Sequence, residues 1–507
     1  MTQGIGPSAA EGAPLEAVVA TPSMTSSSAW AMGGYAAGQL LRFAGNLVLT
    51  RLLFPRVFGV MALITTLMQG LAMFSDVGIG PAIIQRRGGA SERFLRTAWT
   101  VQCGRGIVLW MCACALAAPF AAFYGEPGLA WYVPVAGLTT VLLGFESTSM
   151  HTLARDLRLR QLTLVDLSAQ GVGIVTMVAL AAAHRSLAGP ERETAVWAVV
   201  VGGLAGGGLR LVLSHVALPG IRHRFELSRE DLSVLFGFGR WIFVSTILTF
   251  LVGQSDRLVL GKMIPLDLLG VYGVAAALAM LPTQAAQRLG SAVLFPAYSR
   301  LQETRAFEAA FHRARAPLAL GGAIIASGLL AAGPYLIRLL YDARYREAGW
   351  VLQLLAVAGW FQILEATNSA AILAQGRLRW LTANRAAKLA SMLVLLPIGF
   401  RVDGFRGALV GLVASDAVKY AVSSAGLRVG RVRLVARDVA LTGAIAASAL
   451  VASAAGRRAG ALGGTAAAFL AAGVVVVVVW APLAIRYVRR ALTARKGEPL
   501  PGLGAAP

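Results

Sequence analysis

Charged side chains are scarce in this sequence. Asp, Glu, Lys and Arg make up 14% of its 507 residues, against about 25% in soluble domains, so a large soluble enzyme is excluded. Cysteine is scarcer still. Cys103, Cys112 and Cys114 are the only three and share one apolar stretch, a setting that suits neither a disulfide framework nor a zinc site. The five histidines, His151, His184, His215, His223 and His312, form no ligand cluster, and neither a metal nor another cofactor is expected. No HExxH, nucleophile elbow or phosphate-cradling glycine loop is present, which argues against an enzyme. The 57 glycines and 20 prolines follow no triplet period, and the 57% hydrophobic content is too high for a disordered chain.

What the sequence does have is apolar runs long enough to span a bilayer, which need about 20 residues each. They lie near 28–49, 57–78, 98–123, 129–151, 164–184, 194–218, 236–258, 268–292, 317–340, 350–373, 384–400, 407–427, 439–456 and 465–485. The expected fold is therefore an all-α polytopic membrane protein of about fourteen spans. Residues 1–27, rich in Ala, Gly, Pro and Ser and free of Lys and Arg, read as a disordered tail without the basic region of a signal peptide. Met1 and Met24 both stand as possible starts. Residues 28–218 form an N-terminal lobe of six spans, 219–235 a linking helix with an N-cap at Ser228, and 236–427 a second six-span lobe. Spans thirteen and fourteen fill 428–485, and 486–507 is a basic tail.

The net charge of +22 suggests nucleic acid, but the basic residues are dispersed among apolar runs instead of forming one soluble stripe. Nucleic acid is not an expected partner. Loop charge sets orientation instead. Twenty-six basic residues, among them Arg313, Arg315 and Arg437, fall in one set of loops and the C-terminal tail, against eleven in the opposite set. Both termini are thus expected in the cytoplasm, and no external loop exceeds about ten residues.

The turn Leu52–Val60 and the turn Met263–Tyr272 each join two spans with a proline followed by a glycine, Pro55 with Gly59 and Pro265 with Gly270. These prolines are 210 residues apart, and Pro81 and Pro296, each after a later span, are 215 apart. Near-equal offsets point to two six-helix halves in the same orientation, a transporter signature.

The Arg51–Val60 turn, Phe74-Ser75-Asp76-Val77-Gly78-Ile79-Gly80 with Gln85, Ser255–Lys262, Gly270-Val271-Tyr272 and Phe295–Gln302 closely resemble the polysaccharide transporter family. These are the oligosaccharide flippases of the multidrug/oligosaccharidyl-lipid/polysaccharide exporter superfamily. The motifs cover roughly residues 28–310. The resemblance implies two six-helix lobes around a central cavity; the two extra C-terminal helices, spans thirteen and fourteen, which lack interior charge, could form a lipid-side groove for a lipid tail. It further implies movement of an undecaprenyl-pyrophosphate-linked repeat unit, for exopolysaccharide or O-antigen, to the outer leaflet of the bacterial inner membrane. The expected partners are the lipid-linked glycan and membrane lipids, with a polysaccharide polymerase or ligase left open, for a monomeric protein. Some relatives are thought to hold sodium on carboxylates of spans seven, eleven and twelve. Here span eleven has Asn384 and Lys388, which argues against sodium.

Nine cations lie inside the proposed spans: Arg42, Arg105, Arg210, Arg240, Arg257, Arg288, Arg338, Lys388 and Lys419. Each would cost about 2.5–3.5 kcal/mol facing lipid at mid-helix, so most must face water, a partner or an interface. Tyr35, Gln39, Arg42 and Asn46 recur at i, i+4, i+7 and i+11, one polar face on the first span. The second span has Thr65, Gln69 and Asp76. The seventh has Thr246, Thr249, Gly253, Asp256 and Arg257, and the eighth Gln284, Gln287, Arg288 and Ser291. Six acids could answer the cations: Asp76, Glu146, Asp166, Asp256, Glu365 and Asp416, with Asp416 and Lys419 expected to neutralise each other. The surplus positive charge suits pyrophosphate, held by Arg42, Arg257 and Arg288 with Gln284 beside them. Asp256 and Arg257 could equally form a structural pair, and Glu365 either carries a coupling proton or is a neutral structural carboxyl. A drug exporter of the same superfamily would favour cavity acids, and a glycan polymerase or ligase would need a large external loop. Both remain alternatives.

Overall fold

The computed structural model describes residues 22–75, 78–86, 89–187, 195–301, 307–427 and 431–497, and no strand occurs among them. A chain with so much apolar surface has little other choice, because backbone N–H and C=O groups in hydrocarbon must be satisfied within their own segment. The rods are α1 (Pro22–Leu52), α2 (Pro55–Phe74), α3 (Glu92–Tyr124), α4 (Leu129–Gly144), α5 (Leu159–Leu187), α6 (Ala195–Val216) and α7 (Arg229–Met263). After them come α8 (Leu266–Leu289), α9 (Phe307–Leu340) and α10 (Ala348–Ala374). Helix Leu378–Gly426 breaks at Asp403 and Gly404 (φ 50°) into α11 (378–402) and α12 (405–426). Helix Arg431–Gly497 breaks at Gly464 (φ 77°) into α13 (431–463) and α14 (465–497). Both break points place a glycine in the left-handed region that side chains avoid. The described residues thus hold fourteen rods, the number expected from the apolar runs.

Eight helical stretches are long and apolar enough to cross a membrane, or nine if α4 and the short helix Ser149–Arg155, bent 57° from it, form one span. Helices α1, α7 and the α11–α12 stretch fall outside that set; they carry many of the polar residues considered below.

The chain divides into two compact units, residues 1–53 with 64–247 and residues 54–63 with 248–507. In the first, α1 packs on α5, α3 on α4, and α6 on both α4 and α5. Facing glycines permit close approach: a Cβ on Gly106 would sit 2.6 Å from the Thr140 carbonyl oxygen. In the second, α10 packs against α8, α9 and the α11–α12 stretch, and α9 against the α13–α14 stretch. Its core includes Trp360, Trp480, Tyr420 and Ala452. Each buried indole finds a hydroxyl, Trp360 donating to Thr442 Oγ1 at 2.9 Å and Trp480 to Ser327 Oγ at 3.2 Å.

The two turns that suggested a repeat meet inside the second unit. A Cβ on Gly59 would lie 2.0 Å from the Leu266 carbonyl oxygen, and one on Gly270 would lie 1.8 Å from that of Pro55. Neither position admits a side chain without moving backbone. Phe58 packs edge-on to Tyr345 and the Arg344 guanidinium covers Phe54, which accounts for residues 54–63 belonging with this unit.

Three sequence expectations change. The separate linking helix expected over 219–235 is absent: the chain has no helix over 217–228, and α7 then starts at Arg229 and runs unbroken to Met263. Ser228 still stands at the head of a helix, its carbonyl accepting from the Leu232 N–H at 2.9 Å with Glu230 and Asp231 in the first turn, while the backbone N–H groups of Glu226 and Ser228 donate to Thr100 and Thr97 on α3 (3.0 and 3.3 Å). Arg96 pairs with Glu226, Arg93 with Glu230, and Arg86 with the buried Asp231. The expected tail over 1–27 is helical from Pro22, and residues 1–21 lie outside the described residues. Helix α9 starts at Phe307, earlier than the expected 317, and the α13–α14 stretch at Arg431, earlier than 439. Arg315 and Arg437, read as loop residues, are therefore helical.

Candidate functional site

In the first unit the α1 stripe forms as its spacing predicts. Gln39 Nε2 donates to the Tyr35 hydroxyl at 3.0 Å, while Gln39 Oε1 accepts from Arg42 Nε (2.9 Å) and Nη2 (2.6 Å). A residue the sequence reading passed over completes the clamp: Gln170 of α5 accepts from Arg42 Nη1 at 3.1 Å and donates to the Gly38 carbonyl at 2.8 Å. The available signal was Gln170 one turn after Asp166 in an otherwise apolar run. Asn46 is half-buried further along α1. Three of the five guanidinium N–H groups are thus oriented by amide oxygens, and the side chain is exposed. No carboxylate lies within ion-pair distance of Arg42 among the described residues. The amides fix the geometry and leave the charge uncompensated. On α2, Thr65 and Gln69 are exposed, and Asp76 lies outside the described residues.

In the second unit a cavity of about 200 Å³ is lined by Asp256, Tyr272, Gln362, Lys388, Asp416 and Lys419 among others. Asp256 Oδ2 accepts from the Tyr272 hydroxyl, while its Oδ1 has no hydrogen-bond partner. Arg257 is not ion-paired with Asp256; its Nη1 donates to Gln254 Oε1 at 3.2 Å. Thr283 and Gln287 of α8 line the cavity, whereas Gln284 and Arg288 are exposed and not among its lining. The α8 stripe is therefore split between two directions, because successive polar residues diverge by about 100° around a helix.

The buried ion pairs differ from expectation. Asp416 does not pair with Lys419, three residues away on the same helix. Lys388 Nζ sits 2.8 Å from Asp416 Oδ1, with Ser415 Oγ also at 2.8 Å. Lys419 Nζ lies 2.9 Å from Glu365 Oε2, whose other oxygen accepts from Asn384 Nδ2 (2.6 Å) and from Ser369. Glu365 thus sits opposite Lys419 with both of its oxygens engaged, and is not an isolated carboxyl. Packing of α10 against α11 and α12 overrides the local i, i+3 preference. In the first unit Arg210 is flanked by Asp166 (3.1 Å) and Glu146 (3.5 Å), so this cation is compensated.

The sequence reading missed one buried network. Arg315 of α9 forms a two-pronged pair with Asp438 of α13 at 2.7 and 2.8 Å. Arg315 Nε also donates to Thr367 of α10 (2.8 Å), and the Tyr420 hydroxyl of α12 donates to Asp438 (2.5 Å). It ties four helices together. Only the helix extensions reveal it, since apolar runs mark the bilayer-crossing part of a helix and not its ends.

Chemically, Arg42 is an oriented cation with two N–H groups unengaged among the described residues. That arrangement accepts an anion, and guanidinium suits phosphate oxygens best. No group of three or more His, Cys, Asp or Glu placed to share a metal ion occurs among the described residues.

A family profile described as "Polysaccharide biosynthesis protein" matches residues 48–349. The lipopolysaccharide biosynthesis protein WzxC of Escherichia coli (strain K12) is 22% identical over 368 residues, 72% of this chain and 73% of that one. The teichuronic acid biosynthesis protein TuaB of Bacillus subtilis (strain 168) is 22% identical over 60% of this chain and 61% of its own length. The succinoglycan biosynthesis transport protein ExoT of Rhizobium meliloti (strain 1021) is 25% identical over 52% of this chain and 51% of its own. Among solved structures, the lipid II flippase MurJ superposes with a TM-score of 0.69 at 11% identity, covering 91% of this chain and 99% of that one. A multidrug resistance MATE family transporter superposes at 0.59 and 15% identity, over 80% and 96%. These two likenesses establish the fold. The chain is a multi-pass membrane protein that belongs to the polysaccharide biosynthesis protein family, among the polysaccharide transporters of the multidrug/oligosaccharidyl-lipid/polysaccharide exporter superfamily.

Proposed function

We propose that this protein is a flippase for an undecaprenyl-pyrophosphate-linked oligosaccharide, carried by alternating access from the cytoplasmic to the outer leaflet of the bacterial inner membrane. The observation that carries this reading is Arg42, a cation in the first apolar run of the sequence, held on α1 by Gln39 and Gln170 and matched by no carboxylate among the described residues. In hydrocarbon such a charge is expensive, and a pyrophosphate headgroup is the counter-charge that removes the cost. Names of the matched relatives place them in making lipopolysaccharide, teichuronic acid and succinoglycan, which supports a glycan cargo. Arg257, Arg288 and Gln284 of the second unit are further candidates for contact with an anionic cargo, and the loop-charge bias favours a cytoplasmic position for both termini. A cysteine placed near residue 500 and labelled in intact cells only after permeabilisation would agree with that orientation, and labelling without it would contradict it.

The drug-exporter reading draws on the MATE likeness, which speaks to fold alone. It requires a site that attracts cations, and the α1 site repels them. Purified protein in proteoliposomes should move a fluorescent undecaprenyl-pyrophosphate oligosaccharide between leaflets faster than protein-free vesicles and leave an organic cation such as ethidium untouched. Ethidium movement without lipid movement would replace this reading with the exporter.

A further inference from the structure

A second cavity, of about 230 Å³, lies within the second unit between α9, the first turns of α13 and the last turns of α14. Its walls are apolar, with Ala316, Leu320, Leu441 and Leu483, and its rim carries His312, Arg437 and Tyr487. Beneath the rim, Arg315 is consumed by its two-pronged pair with Asp438 and offers nothing to a ligand. Arg437 differs: it is exposed and forms no hydrogen bond or ion pair among the described residues. Of the acids here, Asp438 is taken up by Arg315 and the Tyr420 hydroxyl, and Glu308, half exposed, lies 3.8 Å from His312 Nε2; neither forms an ion pair with Arg437 among the described residues. Exposed Arg313 and Arg486 add positive charge on neighbouring turns. The Tyr487 hydroxyl, held near the Arg313 carbonyl at 3.5 Å, adds a polar group.

We infer that this cavity binds the phosphate headgroup of an anionic membrane phospholipid, with Arg437 as the principal contact and the lipid's apolar part along Ala316, Leu320 and Leu483. Three features lead there. The rim has unmatched positive charge, the walls are apolar, and the volume falls below the roughly 300–1,000 Å³ that encloses a whole small ligand. A site whose basic rim takes a headgroup and whose apolar walls take only the adjoining part of a chain, the rest staying outside, fits a lipid. A free anion would leave the apolar walls without a partner. Basic pockets between membrane helices hold anionic headgroups in this manner. The inference does not depend on the flippase reading, because it needs only a membrane-embedded chain.

Native mass spectrometry of the delipidated, detergent-solubilised full chain tests it, with phosphatidylglycerol and phosphatidylcholine as probes. Wild type should retain phosphatidylglycerol and not phosphatidylcholine. Arg437→Gln should weaken retention about tenfold, the loss expected for one charge-assisted contact, while Arg437→Lys keeps most of it. Equal retention by Arg437→Gln, or equal retention of the two lipids, overturns the proposal. Displacement of phosphatidylglycerol by millimolar inorganic phosphate alone would reassign the pocket to a free anion and overturn the lipid assignment. Thermal melting of Arg437→Gln alongside wild type separates lost binding from lost fold.

Discussion

At the scale of single residues, two arginines show how differently one side chain is used. Arg42 is oriented by neutral amide oxygens and keeps its charge available, whereas Arg315 is discharged by Asp438 and shut away. Leaving one member of a buried pair without its partner costs about 3–5 kcal/mol, while replacing both with apolar groups is often neutral. Arg315→Met should therefore lower the unfolding midpoint in detergent sharply, and the double variant Arg315→Met with Asp438→Leu should recover most of the loss. A single variant as stable as wild type would show that the network does not hold the four helices. Lys388 and Lys419 act similarly on Asp416 and Glu365, so the surplus of positive charge counted from the sequence resides chiefly where no acid is at hand.

At the scale of elements, the segment 217–228 behaves as a strap on α3. His223 Nε2 accepts from the Thr148 backbone N–H at 3.2 Å and also meets Thr148 Oγ1 at 3.0 Å, with the rings of Trp99 and His215 each 5.2 Å away. Burial foremost, and the neighbouring His215 next, push its pKa down to about 4. An unfolded chain takes up this proton near pH 6.5 while the folded strap refuses it. This contribution to stability is complete above about pH 6.5 and declines as pH falls toward about 4. Unfolding midpoints measured between pH 7 and 5 should fall more steeply for wild type than for His223→Gln, whose amide oxygen can still accept from Thr148. Parallel slopes would contradict the assignment. Where α2 and α8 begin, Gly59→Val should cost at least about 1–3 kcal/mol by overpacking, because its Cβ would meet the Leu266 carbonyl at 2.0 Å. Undiminished folded yield on size-exclusion chromatography would rule that contact out as a constraint.

At the scale of the whole molecule, the all-helical class and the number of rods were legible because length and apolarity are local properties. The α1 stripe was legible for the same reason, since Tyr35, Gln39 and Arg42 share one helix. Helix ends were not, because α9 and α13 continue past their apolar portions into stretches carrying Arg315 and Asp438. Pairings across helices were hidden too: Lys419 finds Glu365 and Lys388 finds Asp416 through the packing of α10 with α11 and α12, about which spacing along one helix says nothing. The repeat, inferred from two Pro/Gly turns, acquired a physical meaning when Gly59 and Gly270 proved to be points of backbone contact.

The central claim is that an uncompensated guanidinium on α1 receives the phosphate headgroup of the cargo, and the most direct test compares wild type, Arg42→Lys and Arg42→Ala in a leaflet-translocation assay with a labelled pyrophosphate-linked oligosaccharide. With one charge-assisted contact removed, Arg42→Ala should slow translocation by at least about tenfold, and Arg42→Lys should retain an intermediate rate, because a single ammonium lacks the planar fork. Translocation by Arg42→Ala at the wild-type rate, in protein that melts normally, would contradict the account.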